Sequence, residues 1–307
     1  MVDHGRAATP EPNPQPPPGV TLRYDVVDVF TDRPFAGNPL AVVHGAGELD
    51  TGQLQAIARE FNLSETAFPL PASTDGADYR VRIFTPAAEL AFAGHPSVGT
   101  AWVLARDGVI AAGEVVQECG AGLLPIAVDA AGARLTGGTP TIRGDRDPAP
   151  ELRALGLDAA DLDRRAPAGM AGAGADFAFL AVAGDAVARA VPDLAALRAL
   201  GVRQGLAVFA FDAATREVHL RMFTPDLGIA EDPATGSAAV ALGVFLVWRG
   251  LLPGDGDSRY VISQGAEIGR PSTLDCTVTA SAGAAVRATV RGCVVPVSAG
   301  RIAVPPS

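Results

Sequence analysis

The chain has 307 residues, 48% of them hydrophobic, and its 24 basic and 34 acidic residues give a net charge of −10. This length and apolar content suffice for two cores of ordinary domain size. The net negative charge argues against a nucleic-acid-binding protein, which needs clustered basic surface. The sequence contains no apolar run of about 18 residues, so no membrane-spanning helix is predicted.

The basic and sulfur-containing residues restrict the chemistry further. All 24 basic residues are arginines, so no lysine can form a Schiff base with pyridoxal phosphate or with a carbonyl substrate. The three cysteines, Cys119, Cys276 and Cys293, are odd in number and have no metal-ligand spacing. They are typical of buried, reduced thiols, which predicts a reducing, cytoplasmic location.

The sequence predicts a disordered tail followed by two lobes. Residues 1–20 are Pro-rich and lack the apolar stretch of a signal peptide. The predicted first lobe spans residues 21–130, joined by C-terminal strands at about 286–304, and the second lobe spans residues 131–285.

The first lobe reads as a hairpin-like pair of strands, a helix with Leu54 and Ile57 on its buried face, and further strands around a second, apolar helix. Glu65 follows the first helix, at the start of a strand or in a tight loop, where a lone glutamate is also typical of a solvated carboxylate. In chain order, the predicted elements are strands at 24–30 and 40–43, a helix at 51–61, a strand at 79–84, a helix at 98–106, strands at 114–117 and 124–128, and a crossover near 129–137.

The second lobe shows many short apolar segments separated by Gly, Ser and Pro. The predicted elements are helices near 150–156, 194–200 and 237–248, and strands at 177–182, 207–212, 218–223, 260–263, 276–279, 285–290 and 293–297. The proline in the last of these strands indicates an edge or a bulge. Many strands with few long helices predict an α+β fold, with curved sheets around the two helices that are apolar on all sides.

Two stretches of the chain repeat one another, which indicates two similar lobes. The matched residues are Arg82, Phe84, Thr85 and Pro86 with Arg221, Phe223, Thr224 and Pro225, and, after a two-residue slip, Pro96, Gly99, Thr100 and Ala101 with Pro233, Gly236, Ser237 and Ala238. A polar residue, His95 or Asp232, precedes each second proline. The small residues that open each helix leave backbone N–H groups free to bind a carboxylate or phosphate between the lobes.

The groups that carry chemistry are Glu65, His95, Asp232 and Ser237, with the backbone amides of residues 94–98 and 235–238. The sequence contains no nucleophile elbow, Walker loop or dinucleotide fingerprint. Its four histidines, His4, His44, His95 and His219, never pair at ligand spacing, so no metal is expected. What remains suits proton transfer at carbon, with the substrate carboxylate held by helix N-termini and acids on either side.

The chain resembles the PhzF (phenazine biosynthesis) family. The motifs that carry the resemblance are Tyr24-Asp-Val-Val-Asp-Val-Phe, Gly37-Asn-Pro-Leu-Ala-Val-Val, Leu63-Ser-Glu-Thr, Phe92-Ala-Gly-His-Pro-Ser-Val-Gly, Glu231-Asp-Pro-Ala-Thr-Gly-Ser-Ala and Gln264-Gly…Gly269-Arg-Pro-Ser272. The resemblance implies a diaminopimelate-epimerase-like fold and a cofactor-independent isomerase that commonly dimerises, with trans-2,3-dihydro-3-hydroxyanthranilate as the type substrate.

By motif match, the resemblance makes Glu65 the proton-shuttling glutamate, with Asp232 and His95 as further catalytic residues. The substrate carboxylate is expected to contact Ser237, Gly94, Gly236, Thr235 and Ser97. Thiol-dependent racemases of the same fold place a cysteine in each repeat turn, and neither turn contains one here. Two alternatives stay open: an amino-acid epimerase or racemase that uses carboxylates, and a non-catalytic ligand-binding protein.

Overall fold

The structure, a computed structural model, describes residues 20–306 apart from the side chain of Leu227. The tail predicted over residues 1–20 therefore falls, except for Val20, outside the described residues. Within the described range no helix is long and apolar enough to cross a bilayer.

Residues 20–306 form 17 strands and six α-helices. The strands are β1 (Thr21–Val29), β2 (Asn38–Val43), β3 (Glu65–Leu70), β4 (Tyr79–Phe84), β5 (Glu89–Leu90), β6 (Gly113–Cys119), β7 (Gly122–Val128), β8 (Gly132–Thr136), β9 (Pro140–Asp145), β10 (Gly169–Ala173), β11 (Asp176–Ala181), β12 (Leu206–Asp212), β13 (Glu217–Thr224), β14 (Ile229–Asp232), β15 (Gly256–Gln264), β16 (Ser272–Ser281) and β17 (Ala284–Ala303). The helices are α1 (Thr51–Phe61), α2 (Gly94–Arg106), α3 (Pro148–Ala154), α4 (Gly184–Arg189), α5 (Leu194–Ala199) and α6 (Gly236–Trp248).

The first lobe is a closed, mixed barrel around α2. Backbone pairing runs through eight strands in the order β1-β2-β3-β4-β6-β7-β8-β17 and returns from β17 to β1. The β2–β3 and β4–β6 pairs are parallel, and α1 and α2 lie in their crossover connections. Helix α2 is buried from Gly94 to Leu104, as expected for a helix with apolar residues on all sides.

The second lobe repeats this plan around α6. Its strands pair in the order β9-β10-β11-β12-β13-β15-β16-β17, with parallel pairs at β11–β12 and β13–β15. The long β17 pairs with β16 in its first half and with β1 in its second half, so one strand belongs to the closed barrel of the first lobe and to the curved sheet of the second. The predicted α+β architecture of two lobes, each with a central helix inside a curved sheet, is confirmed, whereas the lobe boundaries stay a prediction.

Helix α1 shows how local sequence sets an element that leads to the site. Asp50 caps its N-terminus and forms a capping box with Gln53, while Asn62 ends it in the left-handed conformation that asparagine tolerates. Leu54 and Ile57 are buried, as predicted. The chain then turns directly into β3, of which Glu65 is the first residue.

Three element predictions were wrong. Helix α2 begins at Gly94 and not at residue 98. Pro96, its third residue, is compatible with this start, because N–H groups in the first turn of a helix have no intrahelical partner and proline loses nothing by lacking one. The predicted crossover at 129–137 contains β8. The predicted short C-terminal strands are instead three long ones, since Gly292 and Gly300 lie inside β17, where a Cβ would strike the rings of Phe30 and Tyr24.

The irregularity predicted at the C-terminal proline is confirmed. The register between β1 and β17 shifts so that Val26 lies opposite Ser298 while Val27 lies opposite Pro296. The extra residue, Val297, forms a β-bulge, which interrupts the hydrogen bonds between the two strands next to Pro296, a residue with no N–H to donate.

Candidate active site

The N-termini of the two central helices meet at the junction of the lobes. A Cβ on Gly94 would lie 2.9 Å from the backbone nitrogen of Ser237 and 3.2 Å from Cα of Gly236. Only a glycine at residue 94 therefore permits this approach without a shift of backbone. Neither helix has a side-chain cap at its N-terminus, so the first-turn N–H groups of both face the space between the lobes.

The structure changes the residue pairing of the internal repeat. Both central helices have 13 residues and start at Gly94 and Gly236, so His95 and Ser237 occupy equivalent second positions. The sequence match paired Pro96 with Pro233, but Pro96 lies inside α2 whereas Pro233 precedes the N-cap of α6. Proline is tolerated at both places, which is why composition alone misaligned the turns.

All the predicted site residues except Ser97 line a small cavity of about 60 Å³. The cavity is lined by Glu65, Gly94, His95, Asp232, Thr235, Gly236 and Ser237, together with Leu90, Ala93, Phe177, Gln204, Thr224 and Ile229. No arginine lines it. The first-turn backbone amides and the side-chain donors of the lining, such as Ser237 and Gln204, are therefore the groups placed to bind a substrate carboxylate.

Ser97 lies outside this cavity, in contrast to its predicted role in substrate binding. Its hydroxyl donates to the Ala93 carbonyl at 2.9 Å and accepts from Gln117 Nε2 at 2.8 Å, and Gln117 in turn accepts from the Tyr79 hydroxyl. Because α2 starts at Gly94, Ser97 ends the first turn and points into the first barrel. It belongs to a buried hydrogen-bond chain.

Glu65 is a buried carboxyl at the wall of the cavity, with 8% of its surface exposed. Burial raises its pKa well above the ordinary 4.5, and the negative charge of Asp232 raises it further. Desolvation and a like charge both disfavour the ionised form. The sequence left open whether Glu65 is a solvated loop carboxylate, and the structure shows that it is a buried residue at the start of β3.

His95 faces Glu65 across the cavity. Its Nε2 lies 3.4 Å from Oε2 of Glu65, and neither atom has a hydrogen-bond partner among the described residues. Burial lowers the pKa of His95 to about 3, although a backbone hydrogen bond with Pro39 acts in the opposite direction. The imidazole is therefore neutral at physiological pH, with one donor and one acceptor nitrogen.

Asp232 is the second buried carboxyl. Burial raises its pKa to about 6, while hydrogen bonds from Thr235 and Asn38 oppose the rise. The Thr235 hydroxyl donates to Oδ2 at 2.5 Å, and Asn38 Nδ2 donates to Oδ1 at 2.8 Å. Thr235, predicted to bind substrate, thus uses its hydroxyl on Asp232, and its amide donates to Gln264.

Two residues that hold Asp232 were not among the predicted site residues. Asn38 Nδ2 also donates to the Ala234 carbonyl at 2.9 Å, and Gln264 Nε2 donates to the Asp232 carbonyl at 2.7 Å. Both residues stood in the matched motifs Gly37-Asn-Pro and Gln264-Gly, but they lie far from Asp232 in the chain. Gly37 holds the Asn38 turn with a φ of +66°, where a Cβ would lie 2.3 Å from the Val29 carbonyl oxygen.

Replacing Asn38 by Ala is expected to raise the pKa of Asp232 above about 6, because the hydrogen bond from Asn38 lowers it. Turnover should fall by about 10-fold or more, since a carboxyl that loses a fixed donor also loses its orientation. ¹³C NMR titration of labelled Asp carboxyls, with Asp232→Asn to assign the signal, measures the shift. A signal unchanged in the Asn38→Ala variant would show that Asn38 does not tune Asp232.

Other titratable clusters lie away from the cavity. Within residues 20–306, one group of three potential metal ligands occurs, formed by Asp25, His44 and Asp107. Arg23 and Arg106 already donate to its carboxylates. None of these three ligands lines the cavity of Glu65 and Asp232.

This arrangement is suited to moving a proton between carbon atoms. Both buried carboxyls have raised pKa values, and a carboxyl of raised pKa is a stronger base when ionised, which suits proton transfer at carbon. The first-turn amides of two helices supply a site for an anion. Burial of both carboxyls lowers the local dielectric constant, and this strengthens the electrostatic interactions between them.

Comparison with known proteins is consistent with this chemistry. The sequence profile of the PhzC-PhzF family, described as phenazine biosynthesis-like protein, matches residues 27–300. A trans-2,3-dihydro-3-hydroxyanthranilate isomerase of Pseudomonas aeruginosa is 37% identical over 258 residues, which cover 82% of this chain and 88% of that protein.

Two solved structures show the fold. A PhzF-family phenazine biosynthesis protein of Bacillus anthracis superimposes with a TM-score of 0.83 at 26% identity, covering 92% of this chain and 99% of that one. A hydroxyproline epimerase from Agrobacterium vitis, with bound trans-4-hydroxy-L-proline, gives a TM-score of 0.64 at 15% identity and covers 92% of each chain. The predicted diaminopimelate-epimerase-like fold is thereby confirmed.

Proposed function

The chain belongs to the phenazine biosynthesis-like PhzC-PhzF family and is an isomerase, and from this premise we propose that it moves a proton on a small carboxylate substrate by cofactor-independent acid/base catalysis. The substrate to test first is trans-2,3-dihydro-3-hydroxyanthranilate, on which the P. aeruginosa relative is named to act. The observation that carries the proposal is the pair of buried carboxyls, Glu65 and Asp232, beside two helix N-termini.

In this mechanism the substrate carboxylate binds the first-turn amides of α2 and α6. Ionised Glu65 accepts a proton from one carbon and returns it to another, so that the product differs from the substrate only in the position of a hydrogen and a double bond. Burial and the charge of Asp232 keep the pKa of Glu65 high. A raised pKa makes the ionised carboxylate a stronger base. Asp232 and His95 hold the substrate or deliver the proton.

The proposal is tested by NMR of the purified protein in D₂O with trans-2,3-dihydro-3-hydroxyanthranilate. Isomerisation with deuterium entering the ring is the expected result, and it should survive dialysis against a chelator. Absence of both isomerisation and exchange, with protein that is folded by circular dichroism, would overturn this substrate assignment. Inversion of an amino acid with deuterium uptake at Cα would favour the epimerase alternative, and binding without any exchange would favour a binding protein.

The buried carboxyls also predict how stability depends on pH. Because the pKa of Asp232 rises from 3.8 to about 6 on folding, the folded state keeps a proton that the unfolded chain loses between those pH values. Its contribution to stability is therefore greatest below about pH 4 and declines as the pH rises to about 6, by up to about 3 kcal/mol. Glu65, with its raised pKa, continues the decline to higher pH.

Asp232→Asn cannot ionise, so its stability relative to the wild type should increase between about pH 4 and pH 7. Urea denaturation across this range measures the difference in the free energy of unfolding. Asp75→Asn, a change at an exposed aspartate, is the control and should show no such trend. A difference between Asp232→Asn and wild type that is independent of pH would contradict the raised pKa.

A further inference from the structure

Each lobe contains an arginine that grips a glutamate with two parallel hydrogen bonds. Arg82 donates to both carboxylate oxygens of Glu89, at 2.7 Å each, and Arg221 donates to both oxygens of Glu231 at 2.9 and 2.8 Å. Each arginine also lies 5.1 Å over the ring of the phenylalanine two residues later. The repeated Arg-x-Phe-Thr-Pro motif thus forms the same bidentate ion pair in each lobe. We call each of these pairs, Arg82–Glu89 and Arg221–Glu231, a fork.

The glutamates of the two forks are followed in their strands by different residues of the cavity wall. Glu231 is followed in β14 by Asp232, and since successive side chains of a strand point to opposite faces, Glu231 turns to Arg221 while Asp232 turns to the cavity. Glu89 is followed in β5 by Leu90, an apolar wall of the same cavity. One fork thus lies beside a carboxyl of the site, and the other lies beside a hydrophobic contact.

The fork beside Asp232 is more deeply buried than its counterpart, whose Arg82 also donates through Nη2 to the exposed Thr51 hydroxyl at 2.9 Å. The remaining terminal nitrogen of Arg221, Nη1, donates to the carbonyls of Val187 and Ala190 at the C-terminal end of α4. The side chains of Arg221 and Glu231 are 7% and 8% exposed, against 24% and 39% for Arg82 and Glu89. A planar bidentate pair fixes orientation as well as distance, and burial removes the competition of water.

We infer that Arg221 and Glu231 are a positioning pair, which ties β14 to α4 and thereby holds the carboxyl of Asp232 at the cavity. The inference rests on the proposed acid/base function of that cavity. Asn38 and Thr235 donate hydrogen bonds directly to the Asp232 carboxylate. The Arg221–Glu231 fork instead restrains the β14 backbone next to Asp232. Loosening the fork should therefore disturb the placement of the carboxyl more than the binding of substrate.

Two variants loosen the fork in different ways. Glu231→Gln removes the charge and one acceptor, and Arg221→Lys keeps the charge but cannot donate two parallel bonds. Both should lower kcat by about 10- to 100-fold with little change in KM, and the pH at which the acidic limb of the rate profile bends should move. Glu89→Gln makes the same change in the other fork and should leave kcat and that bend unchanged.

A second readout does not depend on activity. ¹³C NMR titration of the Asp232 carboxyl should shift in Glu231→Gln and Arg221→Lys, and stay as in wild type in Glu89→Gln. Unchanged kcat and an unchanged titration in a folded Arg221→Lys variant would overturn the pair's role, as would an equal loss of kcat in Glu89→Gln. If the wild type itself lacks activity on the tested substrate, the proposed function fails. The titration would still show whether Arg221 and Glu231 position the Asp232 carboxyl.

Discussion

Glu65→Gln is expected to lower turnover by about 10²- to 10⁴-fold, the range that a positioned general acid/base contributes, while the fold stays intact. Glutamine has the same shape as glutamate but can neither accept nor donate a proton to carbon. Glu65 is buried beside His95, and its Oε2 has no hydrogen-bond partner among the described residues. The substitution therefore breaks no hydrogen bond to that oxygen and removes a carboxylate that is costly to ionise in this position.

The measurement is deuterium incorporation by NMR under single-turnover and steady-state conditions, with circular dichroism to verify folding. The matched control is Glu151→Gln, because Glu151 is also a fully buried glutamate of raised pKa, but it lies on α3, pairs with Arg146 and does not line the cavity. Its turnover should equal that of wild type. Full activity in Glu65→Gln would remove Glu65 from the mechanism, and equal losses in both variants would indicate a general effect of buried charge.

Part of the site could be predicted because its chemistry lies in short contiguous motifs. His95 and Asp232 lie in the two copies of the repeat, which predicted that their segments would face one another, whereas Glu65 lies outside the repeat and was predicted from the Leu63-Ser-Glu-Thr motif. Asn38 and Gln264 carried no such indication, since their partner Asp232 lies 194 and 32 residues away in sequence. A hydrogen bond between distant segments depends on how the lobes pack, and no local pattern records it.

The fold shows the same division between local and distant causes. The central helices were predictable from side chains that are apolar on all sides, and α1 from its cap at Asp50. The C-terminal strands were not, because Gly292 and Gly300 look like turn residues until Phe30 and Tyr24 are seen to pack against their Cα atoms. The direction of the Ser97 hydroxyl was not predictable for a related reason: it follows from the start of α2 at Gly94, which places the hydroxyl against the Ala93 carbonyl.

The contact between the central helices should be as sensitive as the catalytic carboxyl. Gly94→Ala places a methyl group 2.9 Å from the backbone nitrogen of Ser237 and 3.2 Å from Gly236. Those neighbours are backbone atoms, which cannot rotate away as a flexible side chain would, so the helix ends and the lobes that carry them must separate. We expect a loss of turnover of about 100-fold, because the first-turn amides of Ser237 and Gly236 move away from the carboxyls. The free energy of unfolding should fall by about 1–3 kcal/mol, as for overpacking of a close contact.

The control for this substitution is Gly184→Ala. Gly184 is likewise the first residue of a helix, α4, but a Cβ there would meet nothing within 4 Å. That variant should keep full turnover and be as stable as wild type or slightly more stable, because alanine restricts the unfolded chain. Turnover and urea denaturation of the three proteins decide the matter. If Gly94→Ala matched Gly184→Ala in both measurements, the close approach of the two helix N-termini would not be what assembles the site, and the carboxyls alone would have to account for catalysis.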